Sequence, residues 1–174
     1  MDLVYQGDRD LNLDNVDFDV DVPRADAVLG PHFGSNNPDL RRFKQRGGKL
    51  ILYHGWNDPL VSAYDTIDYY HRVAATVGAP DTAGTEHIQD FSRLFLAPGM
   101  GHCVLLPGPG PYRHDALGAL ERWVEYGEGP DKLIVSNPET SMSRPLCPYP
   151  QVASYKGSGS TGKAASFECM VPER

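Results

Sequence analysis

Two short apolar runs, Lys49-Leu50-Ile51-Leu52-Tyr53 and Arg93-Leu94-Phe95-Leu96-Ala97, constrain the fold of this chain more than any other feature. Both have strand length rather than helix length. Both end in glycine-bearing loops, His54-Gly55 after the first and Pro98-Gly99-Met100-Gly101 after the second. Such a run between turn signals reads as a strand buried on both faces. Between the two, Ile67, Tyr70, Val73, Ala74 and Val77 recur at helical spacing, with Asp65 as the cap and Gly78 as the stop. Strand, helix, strand in that order predicts a parallel βαβ unit with a right-handed crossover, and hence an α/β fold.

The flanks extend this pattern. Asn37-Pro38 opens a short helix, NPDLRRFKQRG, with Asn37 capping, Leu40 and Phe43 facing inward and Gly47-Gly48 ending it. A polar loop spans residues 79–90. From Asp115 to Tyr126, Leu117, Leu120, Trp123 and Val124 share one helical face, with Trp123 a core residue and Gly127 the stop. Residues 131–135 fit a short edge strand, and the tail from Ser136, rich in Pro, Ser and Gly, shows no period.

At 174 residues the chain suits a single domain. Its net charge of −7 gathers in the first 21 residues, where Asp2, Asp8, Asp10, Asp14, Asp17, Asp19 and Asp21 are opposed only by Arg9. Residues 1–37, acidic and turn-rich, therefore read as a linker, and residues 38–174 as the folded domain. Asp8, Asp10, Asn12 and Asp14 alternate like calcium-loop ligands. The loop's sixth position, where glycine is needed, is Leu13, and its twelfth is Asp19, so the solvated linker is the better reading. No cluster of Lys and Arg offers a nucleic-acid surface. No apolar run approaches a membrane span, and the first residues carry no signal-peptide pattern. Cys103, Cys147 and Cys169 match no zinc spacing, nor do His32, His71, His87 and His114.

Reactive groups in open parallel sheets sit beyond the carboxyl ends of the strands. Here that rule selects His54–Pro59 and Pro98–Cys103, which contain Asp58 in HGWNDPLV and His102 in PGMGHC. An acid after one strand and a histidine after the next is the chain order of the α/β-hydrolase triad, Ser then Asp then His. Taken alone, the pair is equally consistent with a capping Asp and a packed His. Trp56, between a strand and a Pro turn, suits substrate contact or packing, and His54 suits a structural bond at the strand end.

The wider motifs decide between these readings. DLRRFKQRGGKLILYHGWNDPLVS, FLAPGMGHC, DALGALERWVEYGEGPDKLI, RPLCPYPQVASYKGSG and AASFEC, in that order, closely resemble the tannase and feruloyl esterase family of α/β-hydrolases. The resemblance runs from about Phe18 to Cys169. It implies cleavage of esters of phenolic acids or related aromatic acids, without a cofactor, with Asp58 as triad acid and His102 as triad base. It also implies a Cys147–Cys169 disulfide, and a second disulfide from Cys103 to a cysteine outside this chain. The family's nucleophile motif, Cys-Ser-x-Gly-Gly, does not occur here. Ser35 in FGSNN and Ser62 in LVSAY are the nearest serines, and neither has the flanking glycines of a nucleophile elbow. The chain thus looks like the C-terminal portion of such an esterase, its acidic start returning from a lid region. Its expected partners are a small aromatic ester and either the N-terminal half of the enzyme or a second copy. The complete family enzyme is expected to be secreted or periplasmic. The alternative is a non-catalytic α/β module that self-associates or binds a partner.

Overall fold

The parallel pairing expected from the two apolar runs is present in the computed structural model, which describes residue 4 and residues 14–78, 84–102 and 108–172. The described chain divides into an N-terminal unit ending at Asn37 and a larger unit beginning at Pro38.

The N-terminal unit, expected to be turn-rich, contains a helix, α1 (Phe18–Phe33). Asp17 caps it by accepting from the Asp19 N–H at 3.0 Å, while the Asp17 N–H donates to the Asp21 carboxylate at 2.7 Å. Asp19 and Asp21 in the first turn also complement the positive end of the helix dipole. Phe18, Val20, Val22, Val28 and Phe33 are exposed, and the helix runs through Pro23 and Pro31. Helix formation here rests on end chemistry and has no apolar stripe to announce it. Residues 8–13, with most of the candidate calcium ligands, lie outside the described residues.

In the larger unit, a five-residue helix α2 (Arg41–Gln45) precedes strand β1 (Leu50–Gly55). The helix is shorter than expected. Leu40 holds the cap position without a side-chain bond, in place of Asn37, and Phe43 is partly exposed. Helix α3 (Ala63–Val77) crosses from β1 to β2 (Ser92–Ala97), which pairs with β1 in parallel from Leu50↔Ser92 to Gly55↔Ala97. Its cap is Ser62, whose hydroxyl accepts from the Tyr64 N–H, and Asp65 falls in the first turn. Helix α4 (Ala116–Tyr126) follows, capped by Asp115 accepting from the Gly118 N–H at 2.8 Å. It ends at Gly127, whose φ of 75° lies in the left-handed region that glycine adopts without strain.

Strand β2 is the spine of the core. Successive side chains of a strand point to opposite faces. Leu94 accordingly joins Tyr70, Val73, Ala74, Ile88 and Phe91 on the α3 side. Phe95 joins Met100, Ala119, Leu133, Val135 and Leu146 on the other. Strand β1 departs from the expectation of burial on both faces. It is half-buried and Tyr53 is 50% exposed, because among the described residues it pairs only with β2 and lies at an edge. Trp123 is buried, with the Lys49 ammonium and Arg93 guanidinium stacked against its ring.

The tail is more regular than its composition suggests. Strands β3 (Leu133–Asn137) and β4 (Met142–Leu146) form an antiparallel pair, as do β5 (Val152–Tyr155) and β6 (Phe167–Met170). Strand β3 thus lies two residues beyond the expected 131–135. Cys147 and Cys169 are disulfide-bonded, with Cα atoms 5.5 Å apart. The Tyr149 N–H donates to the Leu94 carbonyl at 2.8 Å, so the start of the tail lies along the second edge of β2.

Candidate active site

The parallel ladder does not stop at the strand ends. The Trp56 N–H donates to the Ala97 carbonyl at 3.0 Å, and the Asn57 N–H donates to the Met100 carbonyl at 2.9 Å. The loops after β1 and β2 are therefore laced together backbone to backbone. Gly55 permits this approach: a Cβ at that position would run into the Met100 carbonyl. The lacing sets Asp58 and His102 side by side.

Asp58 folds its own loop. Its Oδ1 accepts from the Leu60 and Val61 N–H groups, each at 2.9 Å, the local turn that a short carboxylate favours. Its Oδ2 accepts from His102 Nδ1 at 2.6 Å. A second imidazole nitrogen, His54 Nε2, lies 3.4 Å from the same oxygen. The Asp58 side chain is 7% exposed. Partial burial pushes its carboxyl up, but the Val61 N–H, the His102 ring and the Leu60 N–H together outweigh burial and hold it at about 2. Asp58 is thus a carboxylate that accepts three hydrogen bonds, one of them from an imidazole nitrogen of His102.

His102 has its Nδ1 committed to Asp58, and its side chain, 34% exposed, lines a cavity of about 590 Å³. Tyr53, Met100, Tyr112 and His114 contribute to the walls. Tyr53 and His114 meet edge to face, with ring centroids 4.4 Å apart. An imidazole whose Nδ1–H is held by a buried carboxylate carries its lone pair on Nε2 and can take a proton there. Chemically, the arrangement can accept a proton at Nε2 beside an open cavity.

The remaining candidates have other roles. Trp56 lines neighbouring grooves but not the His102 cavity, and packs edge to face on Tyr64. Ser62 is engaged as the α3 cap, and Ser35 belongs to the N-terminal unit. His71 bonds the Tyr149 hydroxyl, His87 the Ala74 carbonyl and His114 the Tyr112 carbonyl. Cys103 lies outside the described residues. Sequence reasoning overlooked His54 as a neighbour of the acid; the His-x-x-x-Asp spacing of His54 and Asp58 is the signal that pointed to it.

A parallel strand pair carrying an acid and an imidazole at successive carboxyl ends gives the larger unit a mixed α/β architecture like that of known esterases. Solved structures agree. Feruloyl esterase B from Aspergillus oryzae superposes with a TM-score of 0.77 at 27% identity, over 97% of this chain and 36% of that one. The chain belongs to the tannase and feruloyl esterase family, whose model matches residues 1–170. It is 44% identical over 169 residues to the mono(2-hydroxyethyl) terephthalate hydrolase of Piscinibacter sakaiensis, across 90% of this chain and 26% of that protein. A probable feruloyl esterase of Arthroderma benhamiae is 39% identical over 141 residues, across 78% and 25%. The chain therefore spans about a quarter to a third of the length of these relatives.

Proposed function

We propose that this chain supplies the acid and base of a serine carboxylesterase acting on phenolic or related aromatic esters, with the nucleophilic serine on a segment outside the chain. The observation that carries this reading is the 2.6 Å bond from His102 Nδ1 to an ionised, well-partnered Asp58, with His102 open to a cavity. The aromatic substrate class is carried over from the names of the relatives, a terephthalate monoester hydrolase and a feruloyl esterase.

The mechanism is two-step acyl transfer. His102 Nε2 takes the serine proton as the serine attacks the ester carbonyl, and the imidazolium that forms is stabilised by Asp58. His102 then returns the proton to the leaving alkoxide, releasing the alcohol. A water enters, and His102 takes its proton as the water oxygen attacks the acyl-serine. His102 then gives that proton to the departing serine oxygen, releasing the acid and restoring both serine and neutral imidazole. Asp58 stays ionised throughout and keeps Nδ1 protonated, so that the basic nitrogen is always Nε2. The oxyanion donors, like the serine, belong to the segment outside the chain.

The test is reconstitution. The purified chain alone is expected to leave methyl ferulate, methyl gallate and a nitrophenyl ester at the background rate. Co-expressed with the N-terminal part of a relative, it gains turnover that His102→Ala abolishes. Turnover by the chain alone that Ser62→Ala or Ser35→Ala removes would overturn the proposal.

A further inference from the structure

The Asp58 carboxylate has one neighbour that the triad chemistry does not use. His54 closes β1, and its side chain is only 12% exposed. Its two ring nitrogens face opposite kinds of partner. Nε2 lies 3.2 Å from the Val61 carbonyl and 3.4 Å from Asp58 Oδ2, both of them acceptors. Nδ1 lies 2.7 Å from the Thr66 hydroxyl, which can donate or accept. Two acceptors around Nε2 require the proton to be there, and a neutral ring then offers its Nδ1 lone pair to the Thr66 O–H.

We propose that His54 is a positioning residue for the acid, held by Thr66 in its Nε2–H tautomer so that the ring donates toward Asp58 Oδ2 and the Val61 carbonyl. This rests on the reading of Asp58 and His102 as acid and base. Val61 makes the arrangement a clamp: its N–H donates to Asp58 Oδ1 while its carbonyl accepts from His54. One residue thus fixes the carboxylate through its N–H and the ring that steers it through its carbonyl. Thr66 sits in the early turns of α3, so the chain Thr66–His54–Asp58–His102 joins the start of the crossover helix to the end of β1 and the loop after β2. Without the His54 contact, Oδ2 keeps only His102, and rotation of the carboxylate about its Cβ–Cγ bond is restrained by that bond and the two Oδ1 contacts alone. The physical logic is that of an outer hydrogen-bond partner orienting a functional group through one intermediary.

Histidine-labelled full-length chain, observed by 15N and 1H NMR near neutral pH, separates this role from simple packing. The wild type is expected to show His54 as a single Nε2–H tautomer, together with a downfield His102 Nδ1 proton. Thr66→Val keeps the shape but removes the hydroxyl; His54 should lose its single tautomer and the His102 proton should move upfield. Thr66→Ser should restore both. Should Thr66→Val not fold, His54→Leu against His54→Gln carries the test, since only Gln retains an N–H donor; the His102 proton should move upfield in the first and less in the second. An Nδ1–H tautomer for wild-type His54 overturns the proposal. So does a His102 signal indifferent to the hydroxyl at 66 and to the donor at 54. Loss of the downfield His102 proton in the wild type would instead count against the acid–base reading itself. The His54 tautomer, read on its own resonances, would still decide the Thr66 clamp.

Discussion

Removing the Cys147–Cys169 disulfide tests how the tail is held. The bond closes a loop of sequence separation 22. On the chain-entropy account, freeing a loop of that size returns about 11 cal/mol/K to the unfolded chain, or about 3 kcal/mol near room temperature. The contacts of the looped segment with the rest of the unit survive the change. They include the Tyr149 N–H on Leu94, the Gln89 amide on the Tyr149 carbonyl, the Tyr149 hydroxyl with His71, and the Ser143 N–H on Gly162. The loss is therefore a property of the unfolded state, and the double variant Cys147→Ala/Cys169→Ala should keep the native fold with a lower urea midpoint. Wild type in reductant should fall to nearly the same midpoint. A stability difference below ~1 kcal/mol, or a midpoint unmoved by reductant, would refute the argument that the closed loop limits the unfolded ensemble.

Three further outcomes follow from the geometry. Asp58 ionises at about 2, below the ordinary carboxylate range, so its contribution is complete above about pH 4 and is lost as pH falls toward about 2; the gap in urea midpoint between wild type and Asp58→Asn should close over that window. Tyr70 is fully buried and its hydroxyl donates to the Ser92 carbonyl at 2.8 Å, so Tyr70→Phe should cost about 1–2 kcal/mol in urea unfolding, and a neutral result would discount that bond. Gly55→Ala should cost about 1–3 kcal/mol by forcing the two loops apart, and the downfield His102 proton should disappear with it; unchanged stability would show that the loops are not in close contact.

What the sequence disclosed and what it hid divide along physical lines. Strand β2 and helix α3 were legible because their stability comes from apolar burial, which leaves a period in the sequence. Helix α4 is where its period and its Gly127 stop placed it, but of its expected inward face Trp123 is buried while Leu117 and Val124 are exposed, and Ala119 takes the buried position. The same logic led to Asp58 and His102, since strand ends can be read once strands can. Helix α1 was hidden because it depends on Asp17 and Asp21 at its start rather than on a stripe. Strands β4 and β5 were hidden because Met142-Ser143-Arg144-Pro145-Leu146 and Val152-Ala153-Ser154-Tyr155 have no apolar run. Their order comes from cross-strand pairing and the disulfide, which are contacts distant in sequence. Tyr53 illustrates a third limit: an apolar run gives the strand but does not reveal how many neighbours the strand has. His54 shows a fourth, because the partner of a side chain across a turn depends on the turn itself.

The lacing of the two loops gives the acid and base an all-or-none character. The separation of Asp58 and His102 is fixed by peptide hydrogen bonds from Trp56 and Asn57 that continue the ladder of the sheet. Side-chain substitutions in α4 or the tail can change how firmly the unit holds together without altering that spacing by degrees. Drawing the carboxylate away from the imidazole means unzipping the last rungs, an event with the cooperativity of strand separation. Evolution could thus vary the cavity walls widely while the proton-handling pair kept the same alignment, inherited from the main chain.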